Sequence, residues 1–403
     1  MRRSTNRILV SHAGTVPRPA ELQALFEAGP SQREEFRARL PEAVKEVVKH
    51  QAEVGIDIVN DGELSKLNFS HYARARLSGL EQPTNTGNLS SARNIVARDA
   101  RDYPQFHALG GGRLRRMALP RVLPEQPEQA DNTQPAQTGN VNPTVVCTGP
   151  ITYIGHAEAR ADVANFKAAL AGLDVDGFLP AIAPGTIEHW LFDQYYGNDE
   201  KFLFAIADAM HEEYRAITDA GLNLQIDDPD LPDGWQMFPD MSVEEYRRYA
   251  ALRVEALNHA LRDIPREQVR LHVCWGSGHG PHQNDIPLEH IVDLILRVKA
   301  EVYSIEAANP RHDHEWRVWR SAKLPDGASL MPGVVGHATD IIEHPRLVAD
   351  RLVRYAELVG KENLMAGTDC GIGTRVFNDE IAWGKFAALA EGARIASGEL
   401  WGD

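Results

Sequence analysis

Eight short β-branched runs, separated by long stretches whose apolar residues recur at helical intervals, constrain this chain more than any other feature. That alternation is what parallel strands joined by crossover helices produce. The runs are 8–13 (ILVSHA), 56–61 (IDIVND), 144–150 (TVVCTGP), 222–227 (LNLQID), 269–275 (VRLHVCW), 302–307 (VYSIEA), 331–336 (MPGVVG) and 364–368 (LMAGT). Helical spacing occupies 33–54, 199–220, 243–264, 288–300, 344–359 and 379–397. Eight such strands predict an α/β fold, a (β/α)8 TIM barrel.

A ninth apolar run, 177–183 (GFLPAIA), contains Pro180 and is followed by Pro184, which argues against a central strand. It is assigned to a helical insertion at about 176–198. Residues 82–143 lack sustained periodicity and include LPEQPEQADNTQPAQTGNVNP, so they read as an irregular excursion after the second strand. Neither side of that excursion holds enough strands to close a barrel. The expectation is therefore one barrel domain spanning 1–403.

A formal charge of −15 argues against nucleic-acid or anionic-membrane surfaces, because both need clustered Lys and Arg. Small molecules are the expected partners. The sequence contains no apolar stretch of about 18 residues, and the start MRRSTNRILVSHAGTVPRP interrupts its apolar run before it could serve as a signal core. A cytoplasmic protein is expected. The three cysteines, Cys147, Cys274 and Cys370, suit free thiols or metal ligands better than a disulfide framework.

His272 and Cys274 stand two apart in Leu271-His272-Val273-Cys274-Trp275, so their side chains leave one face of a strand. The next strand ends on Glu306, and Cys370 lies just past the last one. Barrel active sites form at that rim, and one imidazole, two thiolates and a carboxylate make a donor set suited to zinc. Taken singly, each residue has a plainer reading as a buried cysteine, a satisfied core histidine or a solvated glutamate. Cys147, inside its apolar run, reads as core. Asp61-Gly62-Glu63 and Asp227-Asp228-Pro229 place carboxylates at two further strand ends, where they could bind an ammonium group, transfer protons or cap helices. Glu63 and Asp227 are assigned to function, and Asp228 to capping or loop structure.

These landmarks, together with Gly14-Thr15-Val16-Pro17-Arg18, Thr148-Gly149-Pro150-Ile151-Thr152, Ile305-Glu306 and Asp369-Cys370-Gly371, appear in an order that resembles the catalytic barrel of cobalamin-independent methionine synthases and the related epoxyalkane:coenzyme M transferases. The resemblance covers nearly the whole chain. It implies Zn2+ on His272, Cys274, Glu306 and Cys370, and a homocysteine amino group held by Glu63 and Asp227. Gly14 and Thr15 correspond to the loop contacting the amino acid's carboxylate. His337 approximates the family's proton donor, displaced by about one position.

The expected partners are thus a small-molecule thiol and an alkyl donor; a homo-oligomer is compatible with this reading. Methyl transfer to homocysteine leads, and addition of a thiol such as coenzyme M to an epoxide is the alternative. For the second, Arg18, Arg375 and His156 are candidate cations for a sulfonate. Zinc hydrolysis and a structural zinc site rank behind both. Two departures from the family bear on the donor. The expected match is to the catalytic barrel only, and Tyr153-Ile154-Gly155-His156-Ala157 replaces the segment that stacks a pterin.

Overall fold

The computed structural model describes residues 1–66, 69–82, 96–108, 145–276, 278, 280–373, 375–376 and 378–402. Eleven strands occur among them: β1 (Leu9–Val10), β2 (Ile58–Asn60), β3 (Leu80–Glu81), β4 (Val145–Cys147), β5 (Asp176–Ile182), β6 (Leu191–Asp193), β7 (Asn223–Asp227), β8 (Val269–Val273), β9 (Val302–Ile305), β10 (Ser329–Val335) and β11 (Met365–Thr368). Eight form one sheet in the order β1-β11-β10-β9-β8-β7-β5-β2, every neighbouring pair parallel. Its two ends meet, since Asp57 N donates to Val10 O at 2.9 Å and Ser11 Oγ to Ile58 O at 2.8 Å. The chain has the (β/α)8 barrel fold.

One strand assignment is corrected. The run 177–183 is not part of a helical insertion at 176–198; as β5 it lies between β2 and β7. Only Pro184–Glu188 of that stretch is helical. The run 144–150 contributes β4, which pairs outside the barrel with β3 and β6. Pro180 is tolerated because β2 pairs only as far as Phe178. Beyond it the Pro180 carbonyl accepts from Lys66 Nζ, so the ladder does not need the N–H that proline lacks. Most of the expected excursion, 83–95 and 109–143, lies outside the described residues; 96–108 carries helices Ala97–Asp102 and Pro104–Ala108.

The crossover helices start where the sequence supplies caps. Asn198 accepts from Lys201 N before helix Asp199–Thr218, Ser242 and Glu245 form a capping box for Val243–Ala260, and Asn378 accepts from Glu380 N before Asp379–Trp401. The expected helix at 288–300 is instead two short turns, Leu288–His290 and Val292–Ile295. Ile291, Val292, Ile295 and Val298 are all buried there, and so many β-branched residues favour a continuous helix poorly.

Inside the barrel, Leu9, Ile58, Phe178, Val302, Met331 and Met365 form an apolar layer contributed by six strands. A larger cluster packs the sheet's outer face against the helices. With that interior filled, the polar residues at the strands' C-terminal ends face the open rim. Among the described residues, no helix is long and apolar enough to cross a membrane.

Candidate functional site

Seven of the eight barrel strands deliver a singled-out residue at or past their C-terminal ends: Gly14 and Thr15 after β1, Glu63 after β2, Asp227 on β7, His272 and Cys274 on and after β8, Glu306 after β9, His337 after β10 and Cys370 after β11. The ligating atoms of His272, Cys274 and Cys370 all lie within 4.8 Å of one another, with the two sulfurs 4.0 Å apart. His272 Nδ1 bonds Ser304 Oγ at 3.0 Å, which fixes the ring and leaves Nε2 turned toward Cys370. The Cys274 thiol donates to Cys370. That contact holds Cys370 well below the usual thiol range and Cys274 well above it.

Glu306, His337 and Asp369 form an adjoining group, again with ligating atoms within 4.8 Å of one another. Glu306 is engaged through both oxygens: Oε2 accepts from Trp275 N and Oε1 from Asn309 Nδ2, each at 2.9 Å. Asp369 Oδ1 accepts from Ala307 N at 2.8 Å and Ala308 N at 2.7 Å, tying the β9 and β11 loops together. Its Oδ2 and both His337 ring nitrogens are buried without partners. Sequence reading missed Asp369 as a site residue, although its place beside Cys370 was a signal. Gly333 makes room for it, since a Cβ there would lie 2.2 Å from Asp369 Oδ1, at the point where the β10–β11 register shifts.

The acidic side of the rim depends on a left-handed turn. Gly62 and Glu63 have φ of 72° and 56°, and Asp61 Oδ1 accepts from Glu63 N at 3.0 Å. This turn brings the Glu63 carboxylate against Gly14, where a Cβ would approach Oε1 to 2.7 Å. Burial raises Glu63 to about 8 despite the opposing charge of Lys66, and raises Asp227 to about 6. Gln225 Nε2 donates to Asp227 Oδ1 at 2.6 Å. Asp228 accepts from Thr186 Oγ1 at 3.1 Å and precedes Pro229, the N-cap of helix Asp230–Met237, so its part is loop structure. Lys66, which sequence reading passed over, is buried and is the nearby cation that tempers Asp61, Glu63 and Asp227.

A buried carboxyl group whose pKa rises on folding favours the folded state most at low pH. Its contribution is fully present below the unfolded value of 4.5 and is lost as pH climbs toward about 8. We therefore expect the melting temperature of the substrate-free protein to fall between pH 5 and about 8, and Glu63→Gln to flatten that slope. Identical slopes in thermal melts of the two proteins would refute the assignment to Glu63.

With this geometry in place, comparison with known proteins places the chain. Residues 141–387 match the family described as the cobalamin-independent synthase catalytic domain. The chain belongs to this family. A methionine synthase of Thermococcus kodakarensis is 23% identical over 393 residues, covering 96% of this chain and 93% of that protein. A 2-hydroxypropyl-CoM lyase of Xanthobacter autotrophicus is 28% identical over 52% of this chain and 58% of its own length. A 5-methyltetrahydropteroyltriglutamate–homocysteine methyltransferase of Thermotoga petrophila is 20% identical over 91% of this chain, which spans only 42% of that relative. Among solved structures, a B12-independent methionine synthase from a Shewanella species, in complex with selenomethionine, superimposes with a TM-score of 0.68 at 20% identity over 98% of this chain and 99% of that one. This last likeness supports the family's barrel fold.

Proposed function

We propose that the protein transfers a methyl group to the sulfur of homocysteine, giving methionine, and that zinc held by His272, Cys274, Cys370 and Glu306 serves the reaction. The observation that carries this reading is the joining of two unlike groups at one rim. A buried imidazole and two thiols converge within 4.8 Å, and Asp227, on β7 beside β8, pairs in register with His272. The first group suits a sulfur-seeking metal; the second suits a substrate that carries a thiol and an ammonium group together.

The converging imidazole of His272 and sulfurs of Cys274 and Cys370 fit the zinc assignment on the chemistry of the donors alone. When bound, zinc favours the ionised form of a substrate thiol at neutral pH. The chain's own residues do the rest. Glu63 and Asp227 hold the amino group, and Gly14 and Thr15 border the carboxylate end, braced by Gly371, whose Cβ would meet Thr15 Oγ1 at 2.5 Å. The sulfur then forms its bond to the methyl carbon as the carbon's bond to the donor breaks. The electron pair leaves with the donor, and His337 is assigned to supply the proton that the leaving group takes up.

Glu306 differs from the other three ligands because its oxygens already accept from Trp275 N and Asn309. Zinc affinity in Glu306→Gln should therefore fall roughly 10- to 100-fold, well short of the loss on removing a cysteine. Competition with a chromophoric chelator measures this; a Glu306→Gln protein as metal-poor as a cysteine variant would show that the carboxylate is indispensable.

The half-length likeness to a 2-hydroxypropyl-CoM lyase keeps a second reading, addition of a sulfonate thiol to an epoxide, open to test. Two of its three candidate cations are engaged elsewhere. Arg18 donates to Lys66 O at 2.7 Å and lies over Phe26, while His156 sits on an outer helix 3.4 Å from Glu212. Arg375 lies in the loop after Cys370. Turnover by the zinc-loaded protein with homocysteine and with coenzyme M, each offered a methyl donor and an epoxide, tests the reading. Activity with coenzyme M and epoxide alone would overturn the methyl-transfer proposal in favour of this second reading.

A further inference from the structure

Below the rim, Arg270 is wholly buried inside the barrel, two residues before His272 on the same face of β8. Its direct partners are all neutral. Nη1 donates to Ser11 Oγ and Nη2 to His12 O, each at 2.8 Å; Nη2 also reaches Met331 Sδ at 3.5 Å, and the guanidinium lies 4.0 Å over the Phe178 ring. Placing a cation in a barrel interior without a directly bonded carboxylate is unfavourable, so its retention calls for a specific reason.

The partners supply that reason. Ser11 and His12 lead from β1 into the Gly14-Thr15 loop, and each residue of 11–14 is held by an inward-reaching side chain. Arg270 takes Ser11 and His12, Gln225 Nε2 donates to Ala13 O at 2.7 Å, and Asn60 Nδ2 donates to Gly14 O at 3.0 Å. Gln225 and Arg270 are cross-strand partners, as are Asp227 and His272 one layer above. The same Gln225 amide that holds Ala13 also holds Asp227. One polar layer thus carries both the β1 loop and the acidic group at the rim.

We propose that Arg270 is a positioning residue for the substrate: its planar fork, spanning Ser11 Oγ and His12 O, sets the Gly14-Thr15 loop against Glu63 so that the amino-acid end of homocysteine is received in register. The inference rests on the proposed homocysteine reading. A lysine retains the charge but, as a point donor, cannot bridge the two oxygens in the same way. A methionine removes both. Ser11→Ala removes one of the two acceptors and leaves the guanidinium in place.

The test uses the zinc-loaded full chain and its Arg270→Lys, Arg270→Met and Ser11→Ala variants, with amide hydrogen exchange, zinc content and homocysteine binding measured on each. Exchange at Ala13, Gly14 and Thr15 should accelerate about tenfold in both Arg270 variants and less in Ser11→Ala, while β8, β9 and β11 amides and zinc content stay unchanged. The homocysteine Kd should rise about tenfold, with kcat at saturating homocysteine kept within roughly threefold. Unchanged exchange at 11–15, zinc loss in step with the substitution, or a uniform loss of protection across the barrel would overturn the proposal. If the unaltered protein binds no homocysteine, the functional reading falls, and the exchange comparison still decides whether Arg270 holds the loop.

Discussion

Purified protein is expected to carry about one zinc ion per chain, and Cys274→Ser or Cys370→Ser to lose most of it together with methyl transfer. The two sulfurs are 4.0 Å apart and form the only close thiol pair among the described residues, since Cys147 is buried on β4 outside the barrel. Serine preserves size and hydrogen bonding but is a far poorer donor to a thiophilic metal. Without the metal, a substrate thiol of pKa about 8.5 is only a few per cent ionised at neutral pH, which alone removes roughly 30-fold in rate. Lost alignment of the sulfur with the methyl carbon adds to that, so turnover should fall by about 1,000-fold or more. Elemental analysis alongside single-turnover kinetics makes the measurement. Full zinc retention in both variants would sink the ligand assignment, and full activity without zinc would sink the metal's role.

The second large effect concerns the amine. Glu63→Gln and Asp227→Asn should each weaken homocysteine binding by roughly 1.5–3 kcal/mol, about 10- to 150-fold, while binding of a thiol without an amino group changes little. Both carboxyl groups are buried and raised, Glu63 to about 8 and Asp227 to about 6, so a substrate ammonium would add to the partial compensation that Lys66 provides. Homocysteine affinity should accordingly increase from pH 6 to 8 as these groups ionise, and Glu63→Gln should remove most of that dependence. Calorimetric titration with homocysteine and with the des-amino thiol decides it. Equal losses for both ligands would point away from an amino-acid substrate.

Asp369 and Lys66 show how the candidate site outran the sequence. Neither was singled out, because the place of Asp369 beside Cys370 was a weak signal and a lysine six residues past β2 is ordinary. Their significance depends on distant partners: Asp369 on the amides of Ala307 and Ala308, Lys66 on the carbonyl of Pro180. Arg270 was equally silent. It stood in plain view within VRLHVCW, yet only the fold sets it against Ser11 and His12, some 259 residues earlier in the chain. Glu306 illustrates the reverse case, found from its strand-end position but engaged by Trp275 N in a way no spacing could reveal.

The sequence by itself determined the repeating strand and helix units and the strand ends on which His272, Cys274, Glu306 and Cys370 lie, because side-chain alternation and helical periodicity are local properties of the chain. Seven of the eight expected barrel strands follow from them. What only the tertiary structure decided was the identity of the remaining strand. A proline is forbidden or harmless according to what lies at that edge, and 176–182 enters the barrel because β2 ends early and Lys66 meets the Pro180 carbonyl. The run at 145–147 is equally strand-like, yet it pairs with β3 and β6. Local propensity can make a strand, but the choice of neighbour depends on contacts between residues far apart in the chain.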